Sequence, residues 1–193
     1  MYRDNANYQL LPGLVLGFHG TSKEIAEKVI AGECHLEASS NDYDWLGSGV
    51  YFWEYSPQRA FEFASEKITR GELEKDNIAV VGAVIDPGRC LNLLESQALA
   101  EIAEAYDILT LLEDPPKNVG GADLYKRNLD CAVITMVHSL RKLSDPPLPG
   151  YDTVRSAFWE GKELYPDAGF RQKNHVQLCV RNVGCIKGYF RPV

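Results

Sequence analysis

The stretch "GFHGTS", Gly17 to Ser22, decides how this chain is read. It closes an apolar run, Leu14 to Phe18, of a length that suits a short buried strand. A histidine then breaks the apolar run, followed by a glycine and two hydroxyl side chains. One reading is local. Thr21, with Glu24 three residues later, has the capping-box pattern and opens a helix over Thr21 to Ala31. Ile25, Val29 and Ile30 supply its apolar stripe and Gly32 its stop. The other reading is that the strand delivers His19 to a site.

The composition bounds what that site serves. The chain has 193 residues, of which 45% are hydrophobic and 24% charged, the profile of one ordinary globular domain. A net charge of −7 argues against nucleic-acid binding through bulk charge. The basic residues near the end, Arg171, Lys173, Arg181, Lys187 and Arg191, read as a solvated face. Cys34, Cys90, Cys131, Cys179 and Cys185 are odd in number and show no metal-ligand spacing, so reduced thiols and no metal site are expected. The first residues lack an apolar signal core, and no apolar run approaches the ~18 residues a membrane helix needs. A soluble, cytoplasmic protein without a membrane partner is expected.

Elements follow from periodicity and turn chemistry. Val50 to Trp53 is a short aromatic strand, and Pro57 to Arg70 a helix with proline in its first turn and Gly71 after its end. Ile78 to Ile85 is a buried strand, and Leu91 to Leu94 a short one. Ser96 to Leu112 and Leu124 to Leu143 carry helical stripes. "SDPPLPG", Ser144 to Gly150, is a stiff linker, but the roughly 43 residues beyond it are too few to fold alone and should complete the same sheet. Asp152 to Trp159, His175 to Arg181 and Cys185 to Phe190 read as strands, the last two joined by the turn Asn182-Val183-Gly184. Strands at both ends with helices in the middle define an α+β class.

Three strands carry polar groups that a core does not need: His19, Tyr51 behind "GSG", and the pair His175 and Gln177, which share a face because they lie two apart. Taken singly, each reads as structural. Their order resembles the ADP-ribosyltransferase fold, in the diphtheria-toxin-like and poly(ADP-ribose)-polymerase-like branch with its His–Tyr–Glu arrangement. The residues that carry the resemblance are His19-Gly20-Thr21, Gly47-Ser48-Gly49-Val50-Tyr51-Phe52, the helix with Ser56, Ala60, Phe61 and Phe63, Asp152-Thr153-Val154, and a final hairpin. It covers about residues 14–65 and 151–191. Residues from about 90 to 145 have no counterpart, and the helical run 96–143 reads as an insertion into one domain spanning 1–193.

The resemblance implies a split β-sheet core and an NAD-dependent mono-ADP-ribosyltransferase that modifies a macromolecular acceptor, protein or nucleic acid, and releases nicotinamide. It assigns His19, with Thr21 assisting, to a ribose hydroxyl, the Gly20 backbone to the nicotinamide amide, and Tyr51 to stacking on the nicotinamide ring. Phe63 or Phe61 covers the other side of that ring, and Ser56 belongs to the cofactor-binding set. The third catalytic position falls on Gln177, with His175 as the alternative, where the family has glutamate. Glu160 and Glu163, in or beside the loop before the last strands, are candidate substitutes for the missing carboxylate. A glutamine there also leaves open a catalytically inactive NAD- or partner-binding relative, or an NAD glycohydrolase.

Overall fold

A computed structural model describes residues 13–71, 74, 76–118 and 126–193. In chain order they form β1 (Val15–Thr21), α1 (Lys23–Ile30), β2 (Val50–Glu54), α2 (Pro57–Thr69), β3 (Ala79–Ile85) and β4 (Cys90–Asn92). After these come α3 (Ser96–Leu109), α4 (Asn128–Leu143), β5 (Thr153–Phe158), β6 (His175–Val180) and β7 (Ile186–Phe190). The class is α+β. Hydrogen bonds join the seven strands in the order β4-β5-β6-β2-β1-β3-β7, with β4 and β5 parallel and every other neighbour antiparallel.

β1 extends three residues past the apolar run. It pairs with β3 along its whole length, from Val15 opposite Ile85 to Thr21 opposite Ala79. That ladder holds Thr21 extended, so the expected cap moves one residue on. Ser22 is the N-cap of α1, its hydroxyl accepting from the Ile25 N–H at 3.3 Å, and Glu24 instead pairs with Lys28 one turn later at 2.7 Å. Gly32, at φ 77°, follows the helix as expected.

The β1–β2 contact is much shorter. It consists of two pairs, Gly17 with Glu54 and Phe18 with Trp53, after which the strands diverge. One part of the sheet, β4, β5, β6 and β2, therefore meets the other, β1, β3 and β7, across this junction.

The expected final hairpin does not form. β6 pairs with β2 on one edge and β5 on the other, so neither edge is free for the strand that follows. A single 3-10 turn, Val183–Cys185, carries the chain away, and β7 pairs with β3 at the far end of the sheet. The late segment does complete the same sheet, but at both ends of it.

Three clusters make up the core. Val29 of α1 packs with Val15, Phe52, Val81, Ile85 and Leu178. Leu109 of α3 and Val133, Ile134 and Val137 of α4 cover Leu91, Val154 and Cys179. α3 stops at Leu109, short of the expected Leu112, and Leu111 and Leu112 are exposed. The start expected for the next helix, Leu124, lies outside the described residues; α4 begins at Asn128. The third cluster sets Ala60 of α2 against Phe18 and Trp53. Among the described residues no helix is long and apolar enough to cross a membrane.

The approach of α2 to β1 is close enough to demand glycine. A Cβ at Gly20 would stand 2.1 Å from the Ala60 carbonyl oxygen and 2.9 Å from the Ala64 Cβ. Gly20→Ala should therefore cost about 1–3 kcal/mol through overpacking. Calorimetric melting should show a loss of about 2–4 °C per kcal/mol for a chain of this size. An unchanged melting temperature would show that α2 has room to move.

Candidate functional site

A cleft of about 530 Å³ opens beside the junction, within the size range of small-molecule sites. His19, Tyr51, Trp53 and Gln177 line it from the sheet, Arg59, Phe63, Glu66 and Lys67 from α2, and Arg70 from its C-cap. The loop before β2 adds Tyr43, Asp44, Trp45 and Gly49.

His19 sits where β1 and β2 part. Its Nδ1 lies 2.7 Å from the Tyr51 carbonyl oxygen. A carbonyl only accepts, so Nδ1 carries the proton and donates it, and Nε2 is left as a bare acceptor. Burial lowers the imidazole pKa to about 4, with a further push from the Lys67 charge, while the bond to Tyr51 opposes the shift. At neutral pH the ring is neutral. Its acceptor nitrogen suits a ligand hydroxyl.

Tyr51 presents its ring to the cleft, but its hydroxyl is committed. It accepts from the Leu46 N–H at 2.9 Å and donates to the Gly47 carbonyl at 2.7 Å. Burial raises its pKa far above the ordinary value, so it stays protonated. The loop it pins has its own requirements. Gly47 is left-handed at φ 76°, and a Cβ at Gly49 would stand 2.5 Å from the Cys179 Sγ. Arg181 adds a bond to the Ser48 carbonyl at 3.0 Å. The "GSG" segment is thus a clamp that fixes one wall of the cleft.

Aromatic rings form the next part of the wall. Trp53 lies two residues beyond Tyr51 on β2 and packs on Phe63 with centroids 4.8 Å apart. Lys67 and Arg70 stand 5.2 and 5.5 Å from the Phe63 centroid. On the loop side, Trp45 packs on Phe158 at 4.6 Å.

Gln177 and His175 separate clearly. Gln177, opposite Trp53 and Ser156, lines the cleft, and among the described residues its amide has no hydrogen-bond partner. His175 does not line the cleft. Its ring is buried, stacks on Phe158 at 5.6 Å and bonds through Nδ1 to the Lys173 carbonyl at 2.7 Å.

Of the other expected contacts, Phe63 lines the cleft, whereas Phe61 is 47% exposed and lies outside it. Gly20, Thr21 and Ser56 do not line it either. Gly20 meets α2, Thr21 closes the β1–β3 ladder, and Ser56 caps the start of α2 without a side-chain bond. Glu160 lines the cleft and is held by Arg59, while Glu163 is exposed and pairs with Arg171 at 3.7 Å. The late basic residues form no common patch: Lys173 pairs with Glu66, and Arg191 with Glu27.

Trp45, Trp53 and Arg59 are cleft residues that the sequence reading missed. Trp53 had a signal, since two-residue spacing on a strand puts it on the face of Tyr51. Arg59 had none, because a cation near a helix start reads as solvated.

No cysteine lines the cleft. All five are free, four are buried, and burial pushes Cys90 up to about 11 and Cys179 up to about 12. Among the described residues no group of three or more His, Cys, Asp or Glu side chains could hold a metal ion.

Comparison with protein-family models, with curated proteins and with solved structures gives no significant match.

The His19 environment predicts an acid sensitivity. An unfolded chain takes up a proton at this ring below the ordinary histidine value of 6.5, whereas the folded chain resists until about 4. The resulting stability is fully present above pH 6.5 and is lost as pH falls towards 4. It amounts to at most about 3 kcal/mol. Burial shifts His138 and His175 in the same direction. Urea unfolding between pH 4 and 6.5 should show a shallower pH dependence for His19→Asn than for wild type, and identical slopes would remove His19 as a source.

Proposed function

We propose that the chain is an NAD-dependent mono-ADP-ribosyltransferase acting on a macromolecule. The observation that carries this reading is the neutral His19, tied through Nδ1 to the Tyr51 carbonyl with Nε2 bare, in one cleft with the Tyr51 ring and the unpartnered Gln177 amide. An acceptor nitrogen beside an aromatic face suits a ribose hydroxyl next to a flat base. The faces of Tyr51, Trp53 and Phe63 suit the cationic nicotinamide ring. Lys67, Arg70 and Lys126 line the same cleft and suit a pyrophosphate.

Transfer breaks an N-glycosidic bond through a transition state like an oxocarbenium ion. Nicotinamide leaves as a neutral molecule and needs no strong acid. The work of the cleft is to hold ring, ribose and acceptor in line. The Gln177 amide can hydrogen-bond the 2′-hydroxyl of the reacting ribose. Being neutral, it stabilises the developing cation less than a carboxylate. A charge pair at 4 Å with an effective dielectric near 20 is worth about 4 kcal/mol before desolvation.

Purified protein incubated with NAD and a cell lysate should release nicotinamide and label macromolecules with ADP-ribose. His19→Ala and Tyr51→Ala should each lower the rate by about 10²-fold or more, the scale of a misplaced substrate. No product from wild type sinks the reading, and variants as active as wild type sink the site.

The neutral Gln177 also favours a second reading, an NAD-binding relative without chemistry. Calorimetric NAD binding by a wild type that releases no nicotinamide would establish it. Gln177→Glu separates the two from the other direction. It should raise nicotinamide release at least tenfold, which corresponds to about 1.4 kcal/mol of the barrier. A fall in rate would show that the position needs an amide.

A further inference from the structure

The cleft contains a carboxylate that Gln177 does not replace. Glu160 lies near the start of the loop from β5 to β6, and its side chain is 16% exposed. Its Oε2 accepts from the Arg59 Nη2–H at 2.8 Å and lies 3.7 Å from the His175 Nδ1. Arg59 is itself 8% exposed at its side chain and donates through Nη1 to Glu62 at 2.7 Å. Oε1 of Glu160 accepts no hydrogen bond among the described residues. One oxygen is pinned by a buried guanidinium, and the other is left to the cleft it lines.

We propose that Glu160 takes the proton of the acceptor, and that the acceptor is therefore a proton-bearing nucleophile such as a hydroxyl rather than a carboxylate. This rests on the reading of the cleft as an NAD-transfer site. The other polar groups are less suited to the task. The Gln177 amide has no basic site at neutral pH. His19 offers Nε2, but that nitrogen is the one this reading gives to a ribose hydroxyl. Glu66 and its partner Lys173 are more exposed than the Glu160–Arg59 pair, both Asp44 oxygens accept from Asn41, and the cleft-lining Glu37 is exposed.

The step balances. The acceptor oxygen forms a bond to C1′ of the ribose. The bond from C1′ to the nicotinamide nitrogen breaks, and its electron pair stays with the ring, which leaves neutral. The acceptor proton passes to Oε1 of Glu160 and then to water. An ionised carboxylate acceptor has no proton to give and would be repelled by Glu160.

The test uses the full chain, saturating NAD, and water as the nucleophile. Nicotinamide release gives the rate, and calorimetry gives the NAD Kd. Glu160→Gln should keep the Kd within about a factor of two and lower the rate by about 10²–10⁴-fold, the range of general-base contributions. Glu160→Asp keeps the charge beside Arg59 and draws the oxygen back by one methylene. It should melt like wild type and still lose at least about tenfold in rate. ADP-ribose linkages formed in a lysate should survive neutral hydroxylamine, which cleaves carboxylate esters. A Glu160→Gln or Glu160→Asp protein with the wild-type rate overturns the role of Glu160 alone, as does a loss of NAD affinity equal to the loss of rate. Hydroxylamine-labile linkages overturn the acceptor class. A wild type that binds NAD but releases no nicotinamide overturns the transfer reading itself, and the role of Glu160 with it.

Discussion

The bond from His19 to the Tyr51 carbonyl spans the place where the sheet opens, and the cleft depends on it. β1 and β2 share two residue pairs and then part. Backbone groups beyond a divergence lose their ladder partners, and leaving a buried carbonyl unpaired costs about 1–3 kcal/mol. The His19 ring supplies the missing partner at 2.7 Å. That single contact satisfies the Tyr51 carbonyl, selects the tautomer of the imidazole and leaves its other nitrogen as an acceptor. The opening, the proton position and the acceptor are consequences of one geometry.

Around that junction, several polar groups are tied to neighbouring residues. The Tyr51 hydroxyl is saturated by Leu46 and Gly47, and Arg59 is held between Glu62 and Glu160. A guanidinium that is 8% exposed is tolerated because two carboxylates compensate its desolvation. α2 has two duties as a result. Its small residues, Ala60 and Ala64, let it sit directly on β1 against Gly20, and Arg59, Phe63, Glu66 and Lys67 face the cleft. The packing of the helix and the placing of the site are one constraint.

Much of the candidate site was legible because it lies on strands. His19, Tyr51 and Gln177 come from β1, β2 and β6, which are neighbours in the sheet, and alternation along a strand tells which side chains share a face. On helices and loops less was legible: Phe63 and Glu160 could be named, but not the side chains they would meet. Arg59 and Glu160 are 101 residues apart in sequence and meet at 2.8 Å, and no local pattern announces such a pair. Gly20 shows the same limit: the group that leaves no room for a side chain there is the Ala60 carbonyl of α2.

By itself the sequence determined the α+β class, most strand and helix positions and the strand residues worth suspecting, because these depend on side-chain period and turn chemistry over a few neighbouring residues. Tertiary structure alone decided the rest. It drew Thr21 into a ladder with β3 and passed the cap to Ser22. It occupied both edges of β6 and sent β7 to the far end of the sheet. It set Gln177 in the cleft and buried His175 against Phe158. Each outcome turns on which distant segment takes a hydrogen-bonding edge or a buried face, and that is a competition among long-range partners that no local stretch of residues records.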